Sequence, residues 1–162
     1  MQYEYHQATP TELEALWNAN VAAHPDDPRW LRWKEEYLSC NASGMARTYT
    51  VICDGVPVGE GTLLFDPRCS AVEGRTDLAD GQKIANVNAL RIRKAHEGQG
   101  HISALVRMME QDAAAAGYTA LTIGVDACEA RNLAIYLHWG YRKLVCWEVE
   151  DGELVLYYQK TL

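Results

Sequence analysis

Between residues 93 and 141 a strand end, a glycine-bearing turn, a long amphipathic segment, a second strand and a second amphipathic segment follow one another without interruption. The strand closes on Arg-Ile-Arg-Lys, and the turn reads Glu97-Gly98-Gln99-Gly100-His101-Ile102. Ile102, Leu105, Val106, Met109, Ala113 and Ala116 then recur at helical spacing, and Gly117 supplies a left-handed stop. Leu121, Ile123 and Val125 alternate along a strand over 119–125, and a helix over about 128–139 ends at Gly140. A glycine turn between a strand and a helix is a site for phosphate: glycine admits a close backbone, and the first helical turn has N–H groups without acceptors. The amides of Gly98, Gln99, Gly100, His101 and Ile102 are therefore candidates to hold a diphosphate.

The flanking segments fix the fold class. Residues 3–7 read as a strand. Thr9-Pro10-Thr11-Glu12 predicts a helix start, with Thr9 as cap, Pro10 at the first helical position and Glu12 three after the cap. Asp27 and Pro28 predict a second start, and Trp30, Trp33 and Tyr37 fall on one side of that helix. Such a stripe suits either core packing or the wall of a cleft. Residues 47–53 and 56–65 form a hairpin around Asp54-Gly55, and 141–149 and 153–159 another around Asp151-Gly152. The polar connection over 66–81 reads as a solvated excursion or a substrate-facing loop. In the strand over 82–93, Ile84, Asn86, Asn88, Leu90 and Ile92 share one face by alternation. Its asparagines either bond a ligand or flank a strand distortion. The predicted order is βααβββαβαββ: one α/β domain over 1–162 with a mixed, partly antiparallel central sheet flanked by helices.

Composition narrows the function. A net charge of −7 leaves no electrostatic footprint for nucleic acid and is compatible with a cationic amine substrate. No apolar run is long enough to cross a bilayer, so no membrane partner is expected. Met1-Gln2-Tyr3-Glu4-Tyr5 has neither a basic start nor an apolar core; no signal peptide is expected, and a cytoplasmic location is. The five cysteines are scattered and form no Cys-x-x-Cys pair, against a disulfide framework or a zinc site. No His, Asp or Glu cluster has metal-ligand spacing.

The window 97–102 and the run Tyr136-x-x-x-Gly140-Tyr141 resemble the two signatures of the GNAT-type N-acetyltransferases. That superfamily carries Arg/Gln-x-x-Gly-x-Gly/Ala at its central helix; here Gly100 matches, Glu97 stands for the Arg or Gln, and Ile102 for the second small residue. Its later segment is Asn-x-x-Ala-x-x-x-Tyr-x-x-x-Gly-Phe; here Glu129 and Asn132 replace the Asn and Ala. The resemblance implies the acyl-CoA N-acyltransferase fold and transfer of acetyl from acetyl-CoA, as co-substrate, to a primary amine of a small molecule or peptide. It implies that the strand through Leu90, Arg91 and Ile92 pairs its backbone with the pantetheine arm, that Asn132 lies at the cofactor, and that Tyr136 is the general acid for the leaving thiolate. A homodimer through the C-terminal strands follows by analogy. The family's strand glutamate is missing, so the base stays open among Glu60, Asp126, His96 and a water relay. His101 and His138 read as helix-surface histidines. A non-catalytic acyl-CoA-binding or regulatory module is the alternative, favoured by Glu97, Ile102 and the missing carboxylate. A nucleotide-hydrolase loop is disfavoured because Gly100 is followed by His101-Ile102 rather than Lys-Ser/Thr.

Overall fold

Local chemistry sets where each element starts and stops in the computed structural model, which describes residues 1–162. After β1 (Tyr3–Gln7), Thr9 Oγ1 accepts from the Glu12 N–H at 3.2 Å, and the Glu12 carboxylate accepts from the Thr9 N–H at 2.9 Å. That reciprocal cap, with Pro10 behind it, starts α1 (Pro10–Ala23). The next helix, α2 (Arg29–Ser43), begins one residue later than predicted, with Pro28 at its N-cap; Asp27 still serves the turn by accepting from the Arg29 N–H at 3.1 Å. Asp54-Gly55 (φ 48° and 83°) and Asp151-Gly152 (φ 49° and 80°) take the left-handed pairs that two-residue hairpins demand. They join β2 (Ala46–Cys53) to β3 (Val56–Leu64) and β6 (Lys143–Glu150) to β7 (Glu153–Thr161).

Between the hairpins lie β4 (Ile84–Ile92), a 3-10 turn (Lys94–His96), α3 (His101–Ala115), β5 (Ala120–Asp126) and α4 (Ala130–His138). The sequence predicts this order, apart from the short 3-10 turn. The sheet has seven strands in the order β1-β2-β3-β4-β5-β7-β6. β4 and β5 are parallel, as a crossover through a helix requires, whereas β1–β2, β5–β7 and β6–β7 are antiparallel. This is the mixed sheet that the element order implies.

The chain forms two compact units: Met1–Leu63 with Ala89–Met109, and Leu64–Asn88 with Glu110–Leu162. Leu16, Trp17, Tyr49, Val51, Leu63 and Leu105 are core residues of the first. There β3 uses glycine to admit close neighbours. A Cβ on Gly59 would meet Ile92 Cδ1 at 2.6 Å, and one on Gly61 would meet Leu90 Cδ2 at 2.8 Å. Leu78, Leu121, Ile123 and Tyr141 are core residues of the second.

Two expectations change here. The connection over 66–81 is not a solvated excursion, because it buries Cys69, Val72, Leu78 and Ala79. The period-two alternation expected across β4 is interrupted, because Ala89 has φ 55° and leaves the extended region. No helix is long and apolar enough to cross a membrane.

Candidate active site

In the first unit the glycine turn keeps its amides open. Gly98 and Gly100 have φ of 72° and 83°, with no atom within 4 Å of where a Cβ would stand. Backbone conformation rather than crowding therefore requires glycine at both positions. The first bond of α3 runs from the Ala104 N–H to the Gly100 carbonyl at 3.0 Å. The amides of His101, Ile102 and Ser103 accordingly have no helical acceptor. Glu97, by contrast, spends its N–H on the Lys94 carbonyl at 3.3 Å. These are the features a diphosphate needs: donors at a helix N-terminus and space for oxygen atoms beside them.

His101 departs from the surface role that its helical position suggests. It is buried, and its Nδ1 lies 2.7 Å from the Tyr5 hydroxyl. The Tyr3 ring packs on its imidazole at 4.1 Å, and the Tyr3 hydroxyl lies 2.8 Å from His96 Nδ1. Burial, then the charge of His96, pushes the His101 imidazole below its ordinary value, which keeps it neutral at the start of α3. Tyr3 and Tyr5 share a face of β1 by alternation, which was the available sequence signal; their partners lie more than ninety positions away.

On β4, Leu90 and Ile92 pack over the glycines of β3, while Arg91 projects to α1. Its Nη2 donates to Glu60 Oε1 at 2.8 Å, and Asn20 Nδ2 donates to Glu60 Oε2 at 3.0 Å. Glu60 is 2% exposed, so this carboxylate is committed and is not a free general base. The Arg91 guanidinium stands 5.0 Å from the Trp17 ring and 5.3 Å from that of Trp30. Within the aromatic stripe, Tyr37 packs into the core against Trp17, whereas Trp30 borders the Arg91 guanidinium.

In the second unit, β4 keeps register with β5 from Ile84↔Ala120 to Val87↔Ile123. Asn86 Nδ2 donates to Thr122 Oγ1 at 3.0 Å, and Asn88 Nδ2 to Asn86 Oδ1 at 3.4 Å. The asparagines therefore flank the distortion at Ala89 and bond within the chain.

Tyr136, on α4, is half-buried, and its ring lies 5.5 Å from that of Trp139. Burial, then the charge of Glu129, raises its phenol above the ordinary value, so the hydroxyl stays protonated at neutral pH. Asn132 donates to Glu129 Oε2 at 3.0 Å, so the two residues that depart from the later of the family's two segments hold each other. Tyr141 is fully buried, and its hydroxyl donates to Glu110 Oε2 at 3.3 Å.

The other candidate bases also have partners: His96 has Tyr3, and Asp126 accepts from the Cys128 N–H at 2.8 Å. Folding brings ligand atoms of Asp126, Cys128 and Glu153 within 4.8 Å of one another. Cys128 and Glu153 are exposed, an arrangement common on acidic surfaces.

Residues 10–141 match the model of the Acetyltransferase (GNAT) family. Solved structures share the fold across the whole chain. An N-acetyltransferase from Staphylococcus aureus Mu50 is 13% identical, with a TM-score of 0.72 and 99% of each chain covered. A ribosomal-protein-alanine N-acetyltransferase from Brucella melitensis is 16% identical, with a TM-score of 0.73, 98% of this chain and 99% of that one. The PaiA N-acetyltransferase from Thermoplasma acidophilum in complex with coenzyme A is 15% identical, with a TM-score of 0.64 and 100% of each chain covered. No curated protein matches the sequence.

Proposed function

Because the chain belongs to the GNAT acetyltransferase family, and so to the transferases of groups other than aminoacyl groups, we propose that it moves acetyl from acetyl-CoA to a primary amine of a small molecule or peptide. The observation that carries this reading is the open set of amides over 98–103, between two left-handed glycines and the start of α3. Residues 1–162 act as one acetyltransferase-like domain. Five free thiols fit work in the reducing cytoplasm.

Acetyl-CoA supplies an activated thioester; the protein must hold it, accept the amine and protonate the leaving sulfur. The amides of Gly98, Gln99, Gly100, His101 and Ile102 take the diphosphate, and neutral His101, pinned by Tyr5, fixes the first helical turn. The backbone of Leu90, Arg91 and Ile92, beyond the end of the β4–β5 register, runs along the pantetheine arm. Backbone groups lie in the plane of a sheet and side chains stand off it, so Arg91 remains free for another task. Tyr136, which keeps its proton at neutral pH, donates it to the departing thiolate. With Glu60, His96 and Asp126 each engaged, the amine loses its proton to a water relay.

Titration calorimetry with acetyl-CoA, followed by free-thiol release over an amine panel, tests the reading. Tyr136→Phe is expected to lower turnover about 10²- to 10⁴-fold while acetyl-CoA binding holds. Binding without transfer to any amine sinks the enzymatic reading in favour of a binding module; absence of binding sinks both.

A further inference from the structure

Two buried hydrogen-bond donors in the first unit have no partner: Arg91 Nε and Trp17 Nε1. They belong to one cluster, because the Arg91 guanidinium lies over the Trp17 ring at 5.0 Å. Trp17 is 1% exposed, so its indole N–H is a polar group shut from water with nothing to donate to. Leaving such a group unpaired is costly, and a site that keeps two of them is missing an acceptor.

The surroundings say what that acceptor is. Glu60 engages only Nη2 of the guanidinium, and Asn20 braces Glu60 from α1. The Arg91 side chain is still 32% exposed, so part of it is within reach of a ligand while Glu60 holds Nη2. Trp17 and Trp30 flank the guanidinium at 5.0 and 5.3 Å. A planar fork of donors held by a buried carboxylate and flanked by two indole rings keeps donors beyond the one that Glu60 uses, and is built to receive oxygen. A polyamine, which brings only donors and positive charge, would leave the two free donors unpaired and meet a like charge at the guanidinium.

We infer that Arg91 and Trp17 form an acceptor subsite for a carboxylate, so that the preferred amines are amino acids or peptides with a free carboxylate rather than polyamines. This rests on the acetyltransferase reading above and names its substrate class. Glu60 and Asn20 are positioning residues, Arg91 touches the substrate, and Trp17 backs its guanidinium.

Matched pairs test it: tryptophan against tryptamine, and lysine against cadaverine, each with acetyl-CoA and free-thiol detection. The carboxylate-bearing member is expected to have a kcat/KM about 10- to 100-fold higher, the difference appearing in KM. Arg91→Lys, which keeps the charge for Glu60 but loses the fork, should collapse that ratio toward one, and so in part should Trp17→Phe, which keeps a ring but not the N–H. Circular dichroism separates a changed site from a changed fold. Calorimetric binding of the same pairs to the acetyl-free protein, with CoA present, reads the subsite without turnover. Transfer or binding indifferent to the carboxylate, or a ratio unchanged in Arg91→Lys, overturns the inference and leaves the acetyltransferase reading intact. Selective carboxylate binding without transfer to any amine supports the subsite and overturns the enzymatic reading.

Discussion

Arg91 and Arg75 are both half-buried, both stacked on aromatic rings and both paired with glutamate, yet they are opposites. Arg75, in the second unit, is saturated. Its Nε donates to the Val72 carbonyl and its Nη2 to that of Ala71, each at 2.8 Å, and its Nη1 reaches Glu148 at 3.0 Å and Glu150 at 3.2 Å. The guanidinium also lies 4.9 Å from the Tyr157 ring. It clasps the connection over 66–81 to the β6–β7 hairpin. Arg91 has one partner in the chain, but that partner is buried, whereas those of Arg75 are 44% and 37% exposed. A saturated arginine on exposed acids holds a loop. An unsaturated one on a buried acid presents donors to something else.

The sharpest way to break this comparison is to remove the acids. Glu60→Ala strands a partly buried guanidinium and should cost about 3 kcal/mol in urea denaturation, because the other charge loses its only partner. If the loss is no larger than that of Glu148→Ala, Arg91 is not anchored as described. Arg75→Ala should cost less, about 2 kcal/mol, spread over carbonyl and ion-pair contacts, and should leave the acceptor KM unmoved. A shift in amine selectivity in that variant would contradict the clasp.

Smallest is Tyr157→Phe, which removes the 2.7 Å bond from the phenol to Glu150 and about 1 kcal/mol with it. It also sharpens the pH behaviour. Burial, then Glu150, raises the Tyr157 phenol above its ordinary value near 10. In the unfolded chain it ionises from about pH 10 while the folded phenol keeps its proton, so stability is fully present below that pH and falls as pH rises past it. The wild type should lose stability more steeply than Tyr157→Phe between about pH 10 and 11. Parallel profiles would mean that Tyr157 does not keep its proton in the fold.

What could be read directly from the residues was local. The cap at Thr9 and Glu12, the hairpins at Asp54-Gly55 and Asp151-Gly152 and the turn at Gly98 and Gly100 depend on φ preferences and on hydrogen bonds a few residues apart. With apolar periodicity these determined every strand and α-helix, their order and the open amides at α3. Tertiary structure alone decided which polar groups meet. Glu60 reads as a candidate base and becomes the anchor of Arg91, 31 positions away; His101 reads as a surface residue and becomes the buried partner of Tyr5, 96 positions away. The kink at Ala89 carries no signal in its residue type, since alanine gains nothing from φ 55° by itself. Propensity and periodicity act over one turn or one strand, whereas the commitment of a charge is settled by whichever distant side chain the fold brings within three ångströms of it.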